Sequence, residues 1–211
     1  MDEYDKDKRV DLLVDEWGIW TDVEPGTNPG FLFQQNTMRD ALVAGINLNI
    51  FNNHADRVKI ANIAQMVNVL QSVILTKENQ MVLTPTYYVF KMYNVHQDAL
   101  MLPIEVKCGK YTSGSNAVDA ISASASVKDG VVSITLCNLD PVNDQYISFD
   151  VQGLKFATVS GSIVTGSKIN SYNDFGKKEE VTMADFKNAK INKGQVEASI
   201  PAKSVVLIQL K

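Results

Sequence analysis

The chain is short of everything that marks a charged or membrane-bound partner. Its 20 basic residues are outnumbered by 24 acidic ones, giving a net charge of −4. That balance leaves no electrostatic footprint for nucleic acid, and a neutral partner such as a sugar fits better. Its apolar runs fall far short of a membrane span. The opening Met1-Asp2-Glu3-Tyr4-Asp5-Lys6-Asp7 is not a secretory signal. An export signal would lie upstream in a longer chain, so cytoplasmic and exported locations both stay open. Only two cysteines occur, Cys108 and Cys137. They read as buried free thiols, and would pair only if the fold brought them together. No His/Cys/Asp cluster has metal-ligand spacing and no Gly-rich phosphate loop appears, so neither metal nor cofactor is expected. What is present is ordinary: 45% hydrophobic and 21% charged residues, which excludes a disordered chain. A length of 211 residues suits one large domain or two small ones.

Within that composition one stretch stands out, Leu12-Leu13-Val14-Asp15-Glu16-Trp17-Gly18. An apolar run that stops at two carboxylates, an aromatic ring and a Gly reads as a fully buried parallel strand. In a (β/α)₈ barrel, residues at the C-terminal ends of such strands face the active site. Glu16 is then a candidate glycosidase carboxylate. The competing reading is a strand that simply ends in solvated acids.

The pattern changes near residue 100. Thr37 to His54 has mostly helical spacing, with Thr37 as N-cap and Asp40 as a weak capping-box partner. Val58 to Ala64 reads as a short strand, followed by a long loop. Pro85 to His96 reads as a helix with Thr84 as N-cap and Pro85 in its first turn. Both His54 and His96 fall at helix C-termini, where a cation is favourable. Residues 1–100 therefore predict two β/α units, the C-terminal portion of a barrel. Two units cannot close a barrel or cover both faces of a parallel sheet, so the chain is expected to be part of a larger protein. Residues 101–211 predict an antiparallel, jelly-roll-like β-sandwich. Its strands read as Ala117 to Val127, Val131 to Asn138, Gln145 to Val151, Lys155 to Thr165, Gln195 to Ile200 and Lys203 to Leu210, with a hairpin turn at Lys128-Asp129-Gly130.

The segments Asp15-Glu16-Trp17-Gly18-Ile19-Trp20, Pro29 to Ala41 (PGFLFQQNTMRDA), Asn49-Ile50-Phe51-Asn52, Ala61 to Val69 (ANIAQMVNV) and Thr84 to Tyr93 (TPTYYVFKMY) occur in this order. Together they resemble the C-terminal part of glycoside hydrolase family 51, the α-L-arabinofuranosidases. The resemblance extends over essentially the whole chain, and its first 97 residues are the specific part. It implies a retaining, exo-acting hydrolase that removes terminal α-L-arabinofuranosyl groups from arabinan, arabinoxylan or arabino-oligosaccharides. It places Glu16 as nucleophile, Trp20 beside the sugar and Gln65 at the end of the eighth strand as a hydroxyl ligand. Asp15 and Asn62 would stand behind them. The family's acid/base Glu lies in an Asn-Glu pair on an earlier strand, and no Asn-Glu dipeptide here matches it. The chain alone is therefore expected to be inactive. Family members are often hexameric, which leaves a homo-oligomer open.

Each assignment has a plainer counterpart. Trp20 fits a rim or core position, and Gln65 fits a loop amide bonded to backbone. Tyr87, Tyr88, Phe90 and Tyr93 read as packing, Arg39 and Asp40 as fold-holding, and Glu24 as a loop residue bordering the site. Two other functions remain. One is a non-catalytic carbohydrate-binding or structural sandwich, against which residues 103–211 contain no Trp to serve as a platform. The other is a related retaining glycosidase with a different sugar specificity.

Overall fold

The computed structural model describes residues 1–70 and 72–211. Strand β1 (Leu12–Trp17), helix α1 (Met38–Asn53) and strand β2 (Val58–Ile63) form a first unit. β1 and β2 pair in parallel, with Leu12 opposite Val58 and Trp17 opposite Ile63. The expected long loop instead contains an antiparallel hairpin, β3 (Ile74–Lys77) and β4 (Gln80–Leu83), which leads into helix α2 (Pro85–Tyr93). The hairpin strands are only four residues long and show little alternation, so their periodicity is too short to register.

Two further expectations fail here. β1 is not a buried strand: Leu12 is 39% and Leu13 is 51% exposed. Its only sheet neighbour among the described residues is β2, so apolar side chains have nothing to pack against on one face. Helix α2 also stops short of His96, at Tyr93, and closes with a single 3₁₀ turn over Asn94–His96. Thr84 stands before α2 in extended conformation without capping it. Its hydroxyl instead donates to the carbonyls of Ser72 (2.9 Å) and Val73 (3.0 Å), 12 and 11 residues back in the chain.

Helix α1 begins where the sequence indicates. The Asp40 carboxylate accepts from the Thr37 N–H at 2.8 Å and from its hydroxyl at 3.0 Å. The N–H groups of Met38 and Arg39 donate, each at 2.9 Å, to the carbonyls of Ser171 and Ile169. A distant loop thus satisfies donors that a helix start leaves open.

The rest is antiparallel. In chain order come β5 (Leu100–Leu102), β6 (Lys110–Ser113), β7 (Asn116–Asp119), β8 (Ile121–Lys128), β9 (Val131–Asn138), β10 (Gln145–Phe149), β11 (Val159–Thr165), β12 (Met183–Asp185), β13 (Ala189–Asn192), β14 (Gln195–Ile200) and β15 (Ser204–Leu210). The run expected as one strand from Ala117 breaks at Ala120, which separates β7 from β8. A six-stranded sheet has the order β12-β11-β15-β9-β8-β5 and a three-stranded sheet the order β10-β14-β13; β6 and β7 form a separate hairpin. The β8–β9 turn falls at Asp129-Gly130, with φ of 51° and 76°. Positive φ at both positions is the backbone of a type I′ hairpin.

The six-stranded sheet is covered on both faces. Ile121, Ala123 and Ala125 of β8, Val132, Ile134 and Leu136 of β9, and Val206, Ile208 and Leu210 of β15 share an apolar core with Val196, Ala198 and Ile200 of β14. The opposite face meets the helices. There Val205 and Leu207 of β15 and Cys137 of β9 join a second core with Met38, Ala41 and Leu42 of α1 and Val89 and Met92 of α2. Its β8 positions are Ser122, Ser124 and Ser126. Helix α1 packs closely on the neighbouring β9: a Cβ on Gly45 would lie 2.5 Å from Cys137 Sγ.

Polar groups on that helix-facing side are satisfied mutually. Buried Asn49 accepts on Oδ1 from Tyr93 (2.8 Å), Ser124 (2.8 Å) and Thr135 (2.9 Å), and donates to Ser122 at 3.2 Å. The His96 ring nitrogens lie 2.7 Å from Ser126 Oγ and 3.1 Å from Thr135 Oγ1. Burial lowers the His96 pKa to about 4, so it is a neutral hydrogen-bonding ring and not the helix-end cation the sequence suggests. Both cysteines are free, but only Cys137 is buried; Cys108 is half-buried. Burial pushes the Cys137 thiol up to about 12.

Candidate functional site at the ends of the parallel strands

Asp15, Glu16, Trp20, Asn62 and Gln65 are all exposed, at or just beyond the C-terminal ends of β1 and β2. The parallel register brings those two ends together. Trp17 is opposite Ile63, and the Ala64 N–H donates to the Trp17 carbonyl at 3.1 Å. Glu16 and Asn62 each precede that pair by one residue, and Gln65 follows Ile63 by two.

Trp17 fixes which way the strand faces. Its ring stacks on Phe90 of α2 (centroids 5.9 Å apart) and meets Phe51 of α1 edge-on at 5.5 Å. Its indole N–H is buried with no partner among the described residues. With Trp17 turned into the helices, its neighbour Glu16 is left exposed. Gly18 then takes φ +147°, a conformation that side-chain-bearing residues rarely adopt, and the chain turns off the strand end.

The start of β1 is held from beneath by Arg57, a buried residue that the sequence reading did not single out. Its guanidinium donates to Asp5 Oδ2 at 2.7 Å, Asp2 Oδ1 at 2.5 Å and the Val10 carbonyl at 2.8 Å. The Val10 N–H and the Arg57 guanidinium hold the Asp5 carboxyl down at about 2.

Trp20 is 68% exposed, and the loop carrying it is fastened by a second overlooked residue. The amide of buried Gln34 donates to the Ile19 carbonyl at 2.9 Å and accepts from the Thr21 N–H at 2.8 Å. It therefore pins the residues on both sides of Trp20. Glu24 accepts from the Gln35 N–H at 3.0 Å, which ties the same loop to the approach of α1. Buried Asn36 faces the carbonyls of Gln34 (3.3 Å) and Leu70 (3.2 Å) with its amide nitrogen. The signal in the sequence was the uncharged run Gln34-Gln35-Asn36 just before a helix cap. Such amides serve the backbone when buried.

Chemically, the arrangement offers two exposed carboxylates, Asp15 and Glu16, at a strand end, an exposed indole in the loop that follows, and two primary amides at or just beyond the end of the neighbouring strand. A carboxylate can act as nucleophile or base, the indole suits an apolar sugar face, and the amides both donate and accept.

The family described as the α-L-arabinofuranosidase C-terminal domain matches residues 15–204. An intracellular exo-α-L-arabinofuranosidase from Bacteroides ovatus is 54% identical over 213 residues, covering 100% of this chain and 41% of the relative. Among solved structures, the family 51 arabinofuranosidase from Xanthomonas axonopodis pv. citri superimposes with a TM-score of 0.97 at 48% identity, covering 100% of this chain and 43% of that one. A family 51 α-L-arabinofuranosidase from Bifidobacterium longum shares the fold, with a TM-score of 0.83 at 24% identity over 95% of this chain and 42% of that one. The chain thus spans about two fifths of the length of the relatives it matches.

Proposed function

Because the chain belongs to the α-L-arabinofuranosidase C-terminal domain family, we propose that it carries the nucleophile end of a retaining, exo-acting α-L-arabinofuranosidase. The observation that carries the reading is Glu16, exposed at the C-terminal end of a parallel strand whose neighbour ends at Ile63, two residues before Gln65. In this reading residues 1–100 supply the last two β/α units of a (β/α)₈ barrel, and residues 101–211 form the sandwich that closes it. The exposed face of β1 is where earlier barrel strands would lie.

Glu16 attacks the anomeric carbon, the glycosidic bond breaks, and the sugar is held as a glycosyl ester. A second carboxyl group about 5–5.5 Å away protonates the leaving oxygen and then takes a proton from the incoming water. That second group comes from a part of the enzyme outside these 211 residues, so this chain alone is inactive. Trp20 packs on the furanose, Gln65 bonds its hydroxyls, and Asp15 and Asn62 support the strand ends. The substrate is a terminal arabinofuranosyl group on arabinan, arabinoxylan or an arabino-oligosaccharide.

The test compares this chain with a longer enzyme extended upstream, on 4-nitrophenyl α-L-arabinofuranoside. Activity is expected only for the longer enzyme, and Glu16→Ala should lower kcat at least about 10³-fold. Azide should restore turnover in that variant and give the β-configured arabinosyl azide. Near-normal turnover by Glu16→Ala would remove Glu16 from the mechanism. Faster hydrolysis of another aryl glycoside would redirect the sugar specificity while leaving the nucleophile in place.

A further inference from the structure

A cleft of about 620 Å³ opens beside Gln65. That is within the range of about 300–1,000 Å³ typical of small-molecule sites. Gln65 is the only residue of the candidate site that lines it, so the cleft leads away from the strand ends and does not coincide with them. Its walls come from the loop over 27–33, the loop over 65–69, strand β3 and, from the β11–β12 loop, Phe175.

These walls are braced by bonds that do not face a ligand. Asn68 donates to Thr76 Oγ1 at 2.9 Å and accepts from the Thr76 N–H at 2.7 Å, which fixes the hairpin against the loop after β2. Asn28 accepts from the Gly30 N–H at 2.9 Å and holds the 3₁₀ turn (Pro29–Phe31) that presents Phe31. The β11–β12 loop is anchored by buried Asn173. Its amide donates to the Leu83 carbonyl at 2.9 Å and the Val181 carbonyl at 2.7 Å, and accepts from the Glu180 and Val181 N–H groups at 2.9 Å.

The lining left over has a definite chemistry. Phe31 is 68% exposed, and Phe33 and Phe175 add two more rings. The side chains of Gln65 and Lys77 make no hydrogen bond among the described residues. Aromatic rings and an amide in one cleft suit a chain of neutral sugars, whose C–H faces stack and whose hydroxyls need both donors and acceptors. Lys77 is exposed to water, and the Asp174 carboxylate next to Phe175 is paired with Lys177 at 2.8 Å.

We infer that this cleft binds the part of an arabino-oligosaccharide that lies beyond the sugar being removed, and that the β11–β12 loop contributes to it through Phe175. The inference rests on Glu16 marking the reaction centre. It assigns to the sandwich, otherwise a structural partner, a share in choosing the substrate.

The experiment uses the full-length enzyme containing this chain, with Phe175→Ala and Phe31→Ala variants. Their kcat/KM is measured on linear arabinotetraose and on 4-nitrophenyl α-L-arabinofuranoside. The expected result is a loss on the tetrasaccharide about tenfold larger than on the aryl glycoside, seen mainly in KM. An equal change on the two substrates in both variants overturns the inference, whether the cause is solvent or another part of the enzyme filling the cleft. Phe31, being mostly exposed, keeps the test valid if Phe175→Ala folds poorly. Failure of the wild-type enzyme to cleave either substrate would defeat the proposed activity itself, which is a separate result.

Discussion

The parallel pair β1–β2 and the six-stranded antiparallel sheet are built from similar residues and end in opposite states. Leu12-Leu13-Val14 is as apolar as anything in β9 or β15, yet Leu12, Leu13 and Ile60 are 39%, 51% and 47% exposed. In the larger sheet Val206 and Ile208 are 0% exposed. What differs is the set of neighbours. The six-stranded sheet has the three-stranded sheet on one face and two helices on the other. The parallel pair has helices on one face only. Burial is a property of what surrounds a strand, and an apolar sequence states only what surroundings it needs.

The contrast is open to direct test. The largest effect is expected from Ile208→Ala, which empties a site between the two antiparallel layers and should cost about 4 kcal/mol. Urea unfolding would measure it. A loss below about 1 kcal/mol would mean that the double coverage of this sheet is looser than its burial indicates.

The helix-facing side should reveal itself through pH. The folded state holds the His96 pKa at about 4, below the unfolded value of about 6.5. Below that unfolded value the unfolded chain takes up a proton that the folded chain refuses, so stability falls as pH drops. His96 should contribute fully above about pH 6.5 and lose that contribution progressively as pH approaches 4, at most about 3 kcal/mol in all. Thermal unfolding across this window should be flatter in His96→Gln than in the wild type. Equal slopes would place His96 in water.

The smallest effect is expected from Leu13→Ala. In this chain it should change stability by less than about 0.5 kcal/mol, as surface substitutions do. In the longer enzyme the same substitution should cost about 2 kcal/mol or more, because earlier strands would cover the site. Similar values in the two proteins would break the comparison at its root.

These tests also mark how far the sequence could be read. The hairpin at Asp129-Gly130, the edges of β9 and β14, and the capping of α1 by Thr37 and Asp40 were legible, because each depends on residues within a few positions. The β3–β4 hairpin and the short strands β5, β12 and β13 were not, since three or four residues give too little periodicity. The candidate site divides in the same way. Asp15-Glu16-Trp17-Gly18 announced a strand end bearing a carboxylate. Gln34 and Arg57 gave little sign of holding that end, because their partners lie far along the chain: Ile19 for one, Asp2 and Asp5 for the other.

By itself the sequence determined the local alphabet of this protein: where turns and caps fall, which runs are apolar, and that Glu16 stands at the end of one of them. Turn geometry and capping are settled by neighbouring residues, so they survive without the rest of the molecule. Only the tertiary structure decided that β1 is exposed, that His96 is neutral, and that Phe175 from a distant loop shares a cleft with Gln65. Exposure, titration and shared cavities depend on which distant surfaces meet, and no window of sequence contains both.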